Sequence, residues 1–152
     1  MYQVKRKFRS EFVPIRNLQY HVQIWGEPSA VKTPLVMVHG WMDVAASFQF
    51  MVDALAAERY VVAADWRGFG LSDSAGGDSY WFPDYLGDLD ALLAHPELDL
   101  TAQPVDLLGH SMGGNVVMSY AGVRPTRIRR LVNLEGFGMP ETRPSQAPKR
   151  MA

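Results

Sequence analysis

Two stretches near the start of the chain, residues 8–15 and 18–25, alternate apolar and polar side chains. A period of two is typical of half-exposed strands, and Asn17 favours a turn between them, so we expect an antiparallel hairpin. Residues 34–38 and 60–64 are instead unbroken apolar runs, which are typical of strands buried on both faces.

Residues 128–134 predict a further strand of the parallel type, and apolar residues recur at helical spacing in two earlier stretches. The helical positions are Phe48, Met51, Val52 and Leu55, and then Phe82, Tyr85, Leu86, Leu89, Leu92 and Leu93, closed by Pro96. Strands that alternate with helices after a hairpin indicate an α/β fold, with a mostly parallel sheet and helices on both faces. A chain of 152 residues is long enough for one such domain with a core.

Residues 104–120 predict a short buried strand, a sharp turn and a helix. Ser111 lies at the turn, in a Gly-x-Ser-x-Gly pattern whose glycines are Gly109 and Gly113. A strand-to-helix elbow exposes the serine hydroxyl at the end of a sheet, and only small neighbours tolerate its strained backbone. The following helix directs its N-terminal amides at the same point. The pattern therefore predicts a serine nucleophile.

The composition argues against several other functions. The net charge is −1, whereas a nucleic-acid-binding protein would carry a basic face. No cysteine is present, so we expect neither a disulfide nor a cysteine-ligated metal, and a cytoplasmic location fits. We find no secretory signal and no apolar run of membrane-spanning length. The glycine patterns of nucleotide-binding loops are missing from the predicted turns.

The chain resembles the α/β-hydrolase superfamily in three segments that follow the family's order and spacing: residues 36–41 (VMVHGW), 65–72 (DWRGFGLS) and 109–114 (GHSMGG). The resemblance implies an incomplete α/β-hydrolase fold with a sheet of about six strands. It makes Ser111 the nucleophile of a serine hydrolase and requires no metal or organic cofactor. It also places the oxyanion hole at the backbone amides of Trp41 and Met112.

The same resemblance implies supporting roles. Gly40 and His39 precede Trp41, and we expect His39 to hydrogen-bond the oxyanion loop rather than to act as a base. His110 should point away from Ser111. We expect Asp65, Arg67 and Ser72 to brace a loop. We expect His21 and His95 to be surface or packing residues.

The residues expected to complete a triad are missing in part. The family's order is serine, acid, histidine, yet no histidine follows His110. Glu135, directly after the predicted strand 128–134, is a candidate acid; the alternative is a strand-end residue at the cleft entrance. The family's sheet has eight strands, whereas this chain supplies about six. We therefore expect residues 1–138 to form a partial core domain and the Pro-rich residues 139–152 to begin a lid.

Two function hypotheses of different classes follow. The first is a serine hydrolase that cleaves carboxylic esters, thioesters or related acyl bonds of a small-molecule substrate through an acyl-enzyme; a peptidase or C–C bond hydrolase would share this chemistry. Ser111 argues against epoxide hydrolases and haloalkane dehalogenases, which have an aspartate at that position. The second is a truncated, inactive hydrolase-like domain that associates with a partner, or with itself through an exposed sixth strand.

Overall fold

A computed structural model describes residues 2–77 and 80–137. The predicted tail at 139–152 lies outside the described residues. The six strands are β1 (Arg9–Ile15), β2 (Leu18–Trp25), β3 (Leu35–Val38), β4 (Val61–Ala64), β5 (Val105–His110) and β6 (Ile128–Leu134). The α-helices within these two described ranges are α1 (Gln49–Ala54), α2 (Phe82–Ala94) and α3 (Met112–Val123).

The strands form one mixed sheet in the order β1-β2-β4-β3-β5-β6. β1 pairs antiparallel with β2, and β2 pairs antiparallel with β4. The remaining pairs, β3 with β4, β3 with β5 and β5 with β6, are parallel. The predicted hairpin and mostly parallel sheet are therefore confirmed. β3 and β5 are neighbours, so the loops that leave their carboxyl ends meet at one edge of the sheet.

Helices cover both faces of this sheet, as predicted. Successive side chains of a strand point to opposite faces, and along β3 Val36 packs with the core under α2 and α3 while Met37 packs with the core under α1. Both side chains are fully buried. This two-sided burial explains why residues 34–38 form an unbroken apolar run.

The structure corrects the predicted boundaries in several places. The helix expected from Phe48 starts instead at Gln49, and this helix, α1, is only six residues long. The preceding residues, Ala45–Phe48, form a 3-10 turn. In contrast, α3 continues to Val123, three residues beyond the predicted segment 104–120. Pro34 and Tyr60 lie just outside β3 and β4, although the Tyr60 carbonyl still accepts a hydrogen bond from Leu35 N at 2.9 Å.

The expectation of a half-exposed β2 is wrong. Only Gln19 is exposed along this strand, because neighbouring segments cover its second face. Phe12 stacks against His21 at 5.2 Å between ring centroids, and Phe8 lies 5.7 Å from Trp25. β2 also lies between β1 and β4 within the sheet.

His21 is consequently a buried packing residue and not a surface one. Its Nδ1 lies 2.7 Å from Asp65 Oδ2, and its Nε2 lies 2.6 Å from the Ser10 hydroxyl. Asp65 also accepts hydrogen bonds from the backbone amides of Ala45 and Leu71, at 2.6 Å and 3.0 Å. These contacts fix the loop that follows β4, which agrees with the expected bracing role of Asp65.

A buried ion pair attaches α2 to this loop. The Asp88 carboxylate on α2 is fully buried and binds Arg67 through Nε–Oδ2 and Nη2–Oδ1 contacts of 2.5 Å and 2.7 Å. The Tyr20 hydroxyl on β2 also donates to Asp88. The hydrogen bonds with Asp88 raise the pKa of Arg67 above its usual range, so the guanidinium is charged. The pair therefore holds the middle of α2 against this loop.

We found no helix in residues 2–77 and 80–137 with the length and apolar character needed to cross a membrane.

Candidate active site

Ser111 occupies the turn between β5 and α3 and has backbone angles of φ 50° and ψ −116°. A residue with a side chain rarely adopts a positive φ, so this conformation is strained and must be held by its surroundings. The Ser111 amide donates to the Leu134 carbonyl on β6 at 2.8 Å, and the Ser111 carbonyl accepts from Asn115 N at 3.2 Å. Ser111 thus lies at a strained turn that connects β5 directly to α3, where the sequence places the elbow.

The two glycines of the elbow allow α3 to pack directly on the sheet. A Cβ atom at Gly109 would lie 2.3 Å from the Gly113 carbonyl oxygen. A Cβ atom at Gly113 would lie 2.5 Å from the Val38 carbonyl oxygen on β3. Neither distance is compatible with a real side chain. The glycines therefore set how closely the helix N-terminus approaches the ends of β3 and β5.

The first free amide after Ser111 belongs to Met112. The Ser111 amide is already bonded to Leu134, whereas Met112 is the first residue of α3 and has no acceptor within the helix. The partial positive charge of a helix N-terminus adds to the field at this amide. Trp41 follows Gly40 in the loop after β3, next to the elbow.

A cavity of about 600 Å³ opens beside Ser111. Three residues predicted for the site, Trp41, Met112 and Glu135, line it together with Ser111. The other lining residues are Tyr80, Phe82, Tyr85, Asn115 and Phe137. The structure therefore brings the expected nucleophile, the two residues of the expected oxyanion hole and the candidate acid to one cavity with a largely aromatic wall.

His39 is buried and holds the loop after β3. Its Nδ1 donates to the Gly40 carbonyl at 2.7 Å, and its Nε2 accepts from the Trp66 amide at 2.9 Å. Burial lowers the pKa of His39, so the ring is neutral, which this pattern of one donor and one acceptor requires. Since both ring nitrogens are occupied, His39 has the geometry of a structural residue, as expected.

None of the four histidines hydrogen-bonds the Ser111 hydroxyl in the described part of the chain. His21 and His39 are bonded elsewhere. His110 Nδ1 lies 3.9 Å from Asp43 Oδ2, and His95 lies at the end of α2. The described residues therefore provide a serine at an elbow without a base.

Glu135 follows β6 directly and has a left-handed backbone with φ 57°. The Asn133 side chain fixes this turn, because its Oδ1 accepts from Gly136 N at 2.8 Å and its Nδ2 donates to Gly136 O at 2.9 Å. Glu135 lies at the cavity, where both interpretations of this residue place it. Its role as a triad acid stays a prediction.

The described residues contain no group of three or more His, Asp or Glu side chains that could hold a metal ion.

A family model for the alpha/beta hydrolase fold matches residues 33–150. The chain belongs to the α/β-hydrolase family. This α/β-hydrolase chain is 33% identical over 135 residues to a serine hydrolase-like protein of Danio rerio, an alignment that covers 88% of the chain and 40% of that protein. It is 31% identical over 151 residues to a (lyso)-N-acylphosphatidylethanolamine lipase of Homo sapiens, covering 94% of the chain and 42% of the lipase.

Solved α/β-hydrolase structures resemble the chain closely in fold. The thioesterase domain of the curacin biosynthetic pathway has a TM-score of 0.75 and 26% identity, covering 95% of this chain and 50% of that one. An epoxide hydrolase from Vigna radiata has a TM-score of 0.77 and 25% identity, covering 95% of this chain and 46% of the epoxide hydrolase chain. The chain spans less than half the length of the curated relatives it matches.

Several residues of the α/β-hydrolase cavity were not predicted from the sequence. Phe82 and Tyr85 were assigned to the apolar face of a helix, and nothing connected them with Ser111. Asn115 was assigned to the helix after the elbow. Tyr80 and Phe137 lie in segments without periodicity. Only the order of strands in the sheet places these segments at one site, and that order is not visible in local sequence patterns.

Proposed function

We propose that this α/β-hydrolase is a serine hydrolase that cleaves carboxylic esters, thioesters or related acyl bonds through an acyl-enzyme. The observation that carries the proposal is the position of Ser111, on a strained elbow that opens into the same cavity as Trp41 and Met112. The names of the relatives, a serine hydrolase-like protein and a lipase, support this chemistry.

In the proposed reaction, Ser111 Oγ attacks the carbonyl carbon and a base accepts the hydroxyl proton. The oxyanion that forms accepts hydrogen bonds from the Met112 and Trp41 amides, and loss of one such donor typically costs about 2.7–4 kcal/mol. The intermediate collapses as the base returns the proton to the departing alcohol or thiol, leaving an ester on Ser111. Water then cleaves this ester by the reverse sequence, which releases the acid and restores the hydroxyl.

We place the base outside these 152 residues, because none of the four histidines hydrogen-bonds the Ser111 hydroxyl. A serine without a base stays at its ordinary pKa and is a weak nucleophile. Glu135 is the proposed acid that would orient the missing base, since it lies at the cavity on the neighbouring strand end. The resemblance assigns an aspartate to the nucleophile position of epoxide hydrolases, so Ser111 favours acyl transfer over epoxide opening.

The test uses the native protein. Its intact mass is measured first, to learn whether it is longer than 152 residues, and the hydrolysis of short 4-nitrophenyl esters is then assayed. We expect Ser111→Ala to abolish hydrolysis while the circular dichroism spectrum stays unchanged. Activity that survives this substitution would remove Ser111 as the nucleophile. The 152-residue chain by itself should react slowly with a fluorophosphonate probe, and rapid labelling of Ser111 would show that a base is present within it.

A second candidate function is an inactive domain that associates through β6. In the described sheet β6 is an edge strand paired only with β5, and Leu131 and Val132 on it are 38% and 39% exposed. Such edges are templates for pairing with another chain. This alternative predicts a dimer of the 152-residue chain in analytical ultracentrifugation and its dissociation by Val132→Lys. A monomer at all concentrations would contradict it.

A further inference from the structure

Tyr85 carries a buried hydroxyl without a hydrogen-bond partner. The side chain lies in the first turns of α2 and is 1% exposed. Its Oη is sealed from solvent and bonds no atom of the described residues. Most buried polar groups in folded proteins are paired, and an unpaired one costs free energy. The unpaired hydroxyl therefore lowers the free energy of unfolding, and no hydrogen bond within the described residues compensates for this loss.

The other buried tyrosines of the described chain show the usual arrangement. Each of them donates to an acceptor: Tyr20 to the Asp88 carboxylate, Tyr60 to the Leu98 carbonyl at 2.8 Å, and Tyr120 to the Asp90 carboxylate at 2.8 Å. Packing does not explain the hydroxyl of Tyr85 either. Its ring contacts Trp66 edge to face with centroids 5.3 Å apart, and a phenylalanine would make the same contact.

The place of Tyr85 in the fold suggests where its partner comes from. Tyr85 is part of the wall of the cavity that contains Ser111. Burial raises the pKa of Tyr85 to about 12, so the phenol is a neutral donor at physiological pH. Trp41, Phe82 and Phe137 make much of the surrounding wall aromatic, and Glu135 and Asn115 add polar groups to it. A donor in a mainly aromatic wall favours a ligand that carries an acceptor at that point.

We propose that Tyr85 is a specificity-determining residue whose Oη donates a hydrogen bond to an uncharged carbonyl or hydroxyl oxygen of the substrate, remote from the bond that Ser111 cleaves. This inference rests on the proposed function. The substrate class is then an ester or thioester with an oxygenated chain. A plain hydrocarbon chain would leave the phenol unpaired in the complex, and a site built to hydrogen-bond an oxygen discriminates against the analogue that lacks it.

The first test measures stability alone and requires no substrate. Tyr85→Phe removes the unpaired hydroxyl and keeps the ring, so we expect Tm to rise by about 2–4 °C. Tyr60→Phe is the matched control, because its hydroxyl donates to Leu98, and it should lower Tm. A lower Tm for Tyr85→Phe would show that the hydroxyl has a partner within the protein and would overturn the proposal.

The second test measures binding in the Ser111→Ala background, where turnover is prevented. Two pairs of esters are titrated by calorimetry. Methyl 6-oxoheptanoate is compared with methyl heptanoate, and 5-oxohexyl acetate with hexyl acetate, so that the oxygen lies in the acyl or the alcohol part. We expect the oxo ester of one pair to bind about tenfold more tightly. Adding Tyr85→Phe should reduce that ratio to within twofold.

The outcomes separate this inference from the proposed hydrolase activity. Equal binding within both pairs, or a preference that Tyr85→Phe leaves intact, overturns the role of Tyr85 even if Ser111-dependent hydrolysis is found. A preference that disappears in Tyr85→Phe supports that role. If Ser111-dependent hydrolysis is then absent from the native protein, the hydrolase assignment fails and the binding role of Tyr85 stands.

Discussion

Gly40 lies directly against Ser111. A Cβ atom built on Gly40 would stand 2.9 Å from the Cβ atom of Ser111, closer than real side chains approach. The same atom would lie 3.3 Å from Nδ1 of His110. This contact joins the loop after β3 to the turn after β5 and brings Trp41, the next residue, close to Ser111. The spacing between the proposed nucleophile and one proposed oxyanion donor thus depends on the absence of a side chain at position 40.

We expect Gly40→Ala to separate these two loops. The added methyl group meets the Cβ atom of Ser111, which belongs to a rigid turn, so the substitution should destabilise the fold by about 1–3 kcal/mol, as overpacking does. Urea denaturation measures the change. Gly122→Ala is the control, because nothing lies within 4 Å of a Cβ atom there, and it should be stabilising by about 0.5–1 kcal/mol. A neutral Gly40→Ala would contradict the tight contact.

Ser111→Gly tests the backbone strain at the elbow. Ser111 adopts φ 50°, which glycine reaches without a steric cost. The fold should therefore gain about 1 kcal/mol from Ser111→Gly, while Ser111→Ala, which keeps the Cβ atom, should leave the strain in place. Thermal unfolding of both variants gives the comparison. If alanine and glycine at this position are equally stable, strain at the elbow contributes little.

The strands and the elbow could be predicted from the sequence because their signals are local. Residues 34–38 are apolar on both faces since both faces are covered, and Gly109 and Gly113 flank the serine because no larger residue fits. For His21 the sequence left a surface role and a packing role open. Only the tertiary fold decides between them, because it covers the side chain with Phe12 and pairs the ring with Asp65.

The aromatic wall of the cavity could not be predicted for a related reason. Tyr85 and Phe82 come from α2, whereas Ser111 follows β5, about 25 residues later in the chain. The buried carboxylate of Asp88 ties α2 to Arg67, and a local pattern would assign a charged helix residue such as Asp88 to the surface. Sequence patterns therefore predicted the proposed nucleophile and the candidate donors but not the surface that would recognise a ligand.

The pair of Asp88 and Arg67 should contribute strongly to stability. Asp88→Asn keeps the shape of the side chain but removes the charge that faces the buried guanidinium, and breaking such a pair typically costs about 3–5 kcal/mol. Chemical denaturation with fluorescence detection measures the loss. Asp84→Asn is the control, since Asp84 is partly exposed and lies 3.6 Å from Arg67, so its loss should cost below about 1 kcal/mol. Equal effects at the two positions would contradict a special role for the buried carboxylate.

The stability of the protein should decrease below neutral pH because of His39. Burial lowers the pKa of His39 in the folded state, whereas in the unfolded chain the pKa is roughly 6.5. The unfolded state therefore binds more protons in this range, and the free energy of unfolding increases with pH. The contribution of His39 is complete above about pH 6.5 and is lost progressively as the pH falls towards the lowered pKa of the folded state. Protonation would also remove the acceptor at Nε2 that the Trp66 amide uses.

This linkage can be isolated by comparing pH dependence rather than absolute stability. His39→Gln cannot take up a proton, so its free energy of unfolding should change less between about pH 7.5 and pH 5.5 than that of the unmodified chain. Urea titrations at several pH values measure both slopes, and groups that titrate equally in the two proteins cancel in the difference. Protonation at Nε2 keeps the Nδ1–H bond to the Gly40 carbonyl, so the contact that it removes is the one with the Trp66 amide. Identical slopes for the two proteins would rule out His39 as the titrating group.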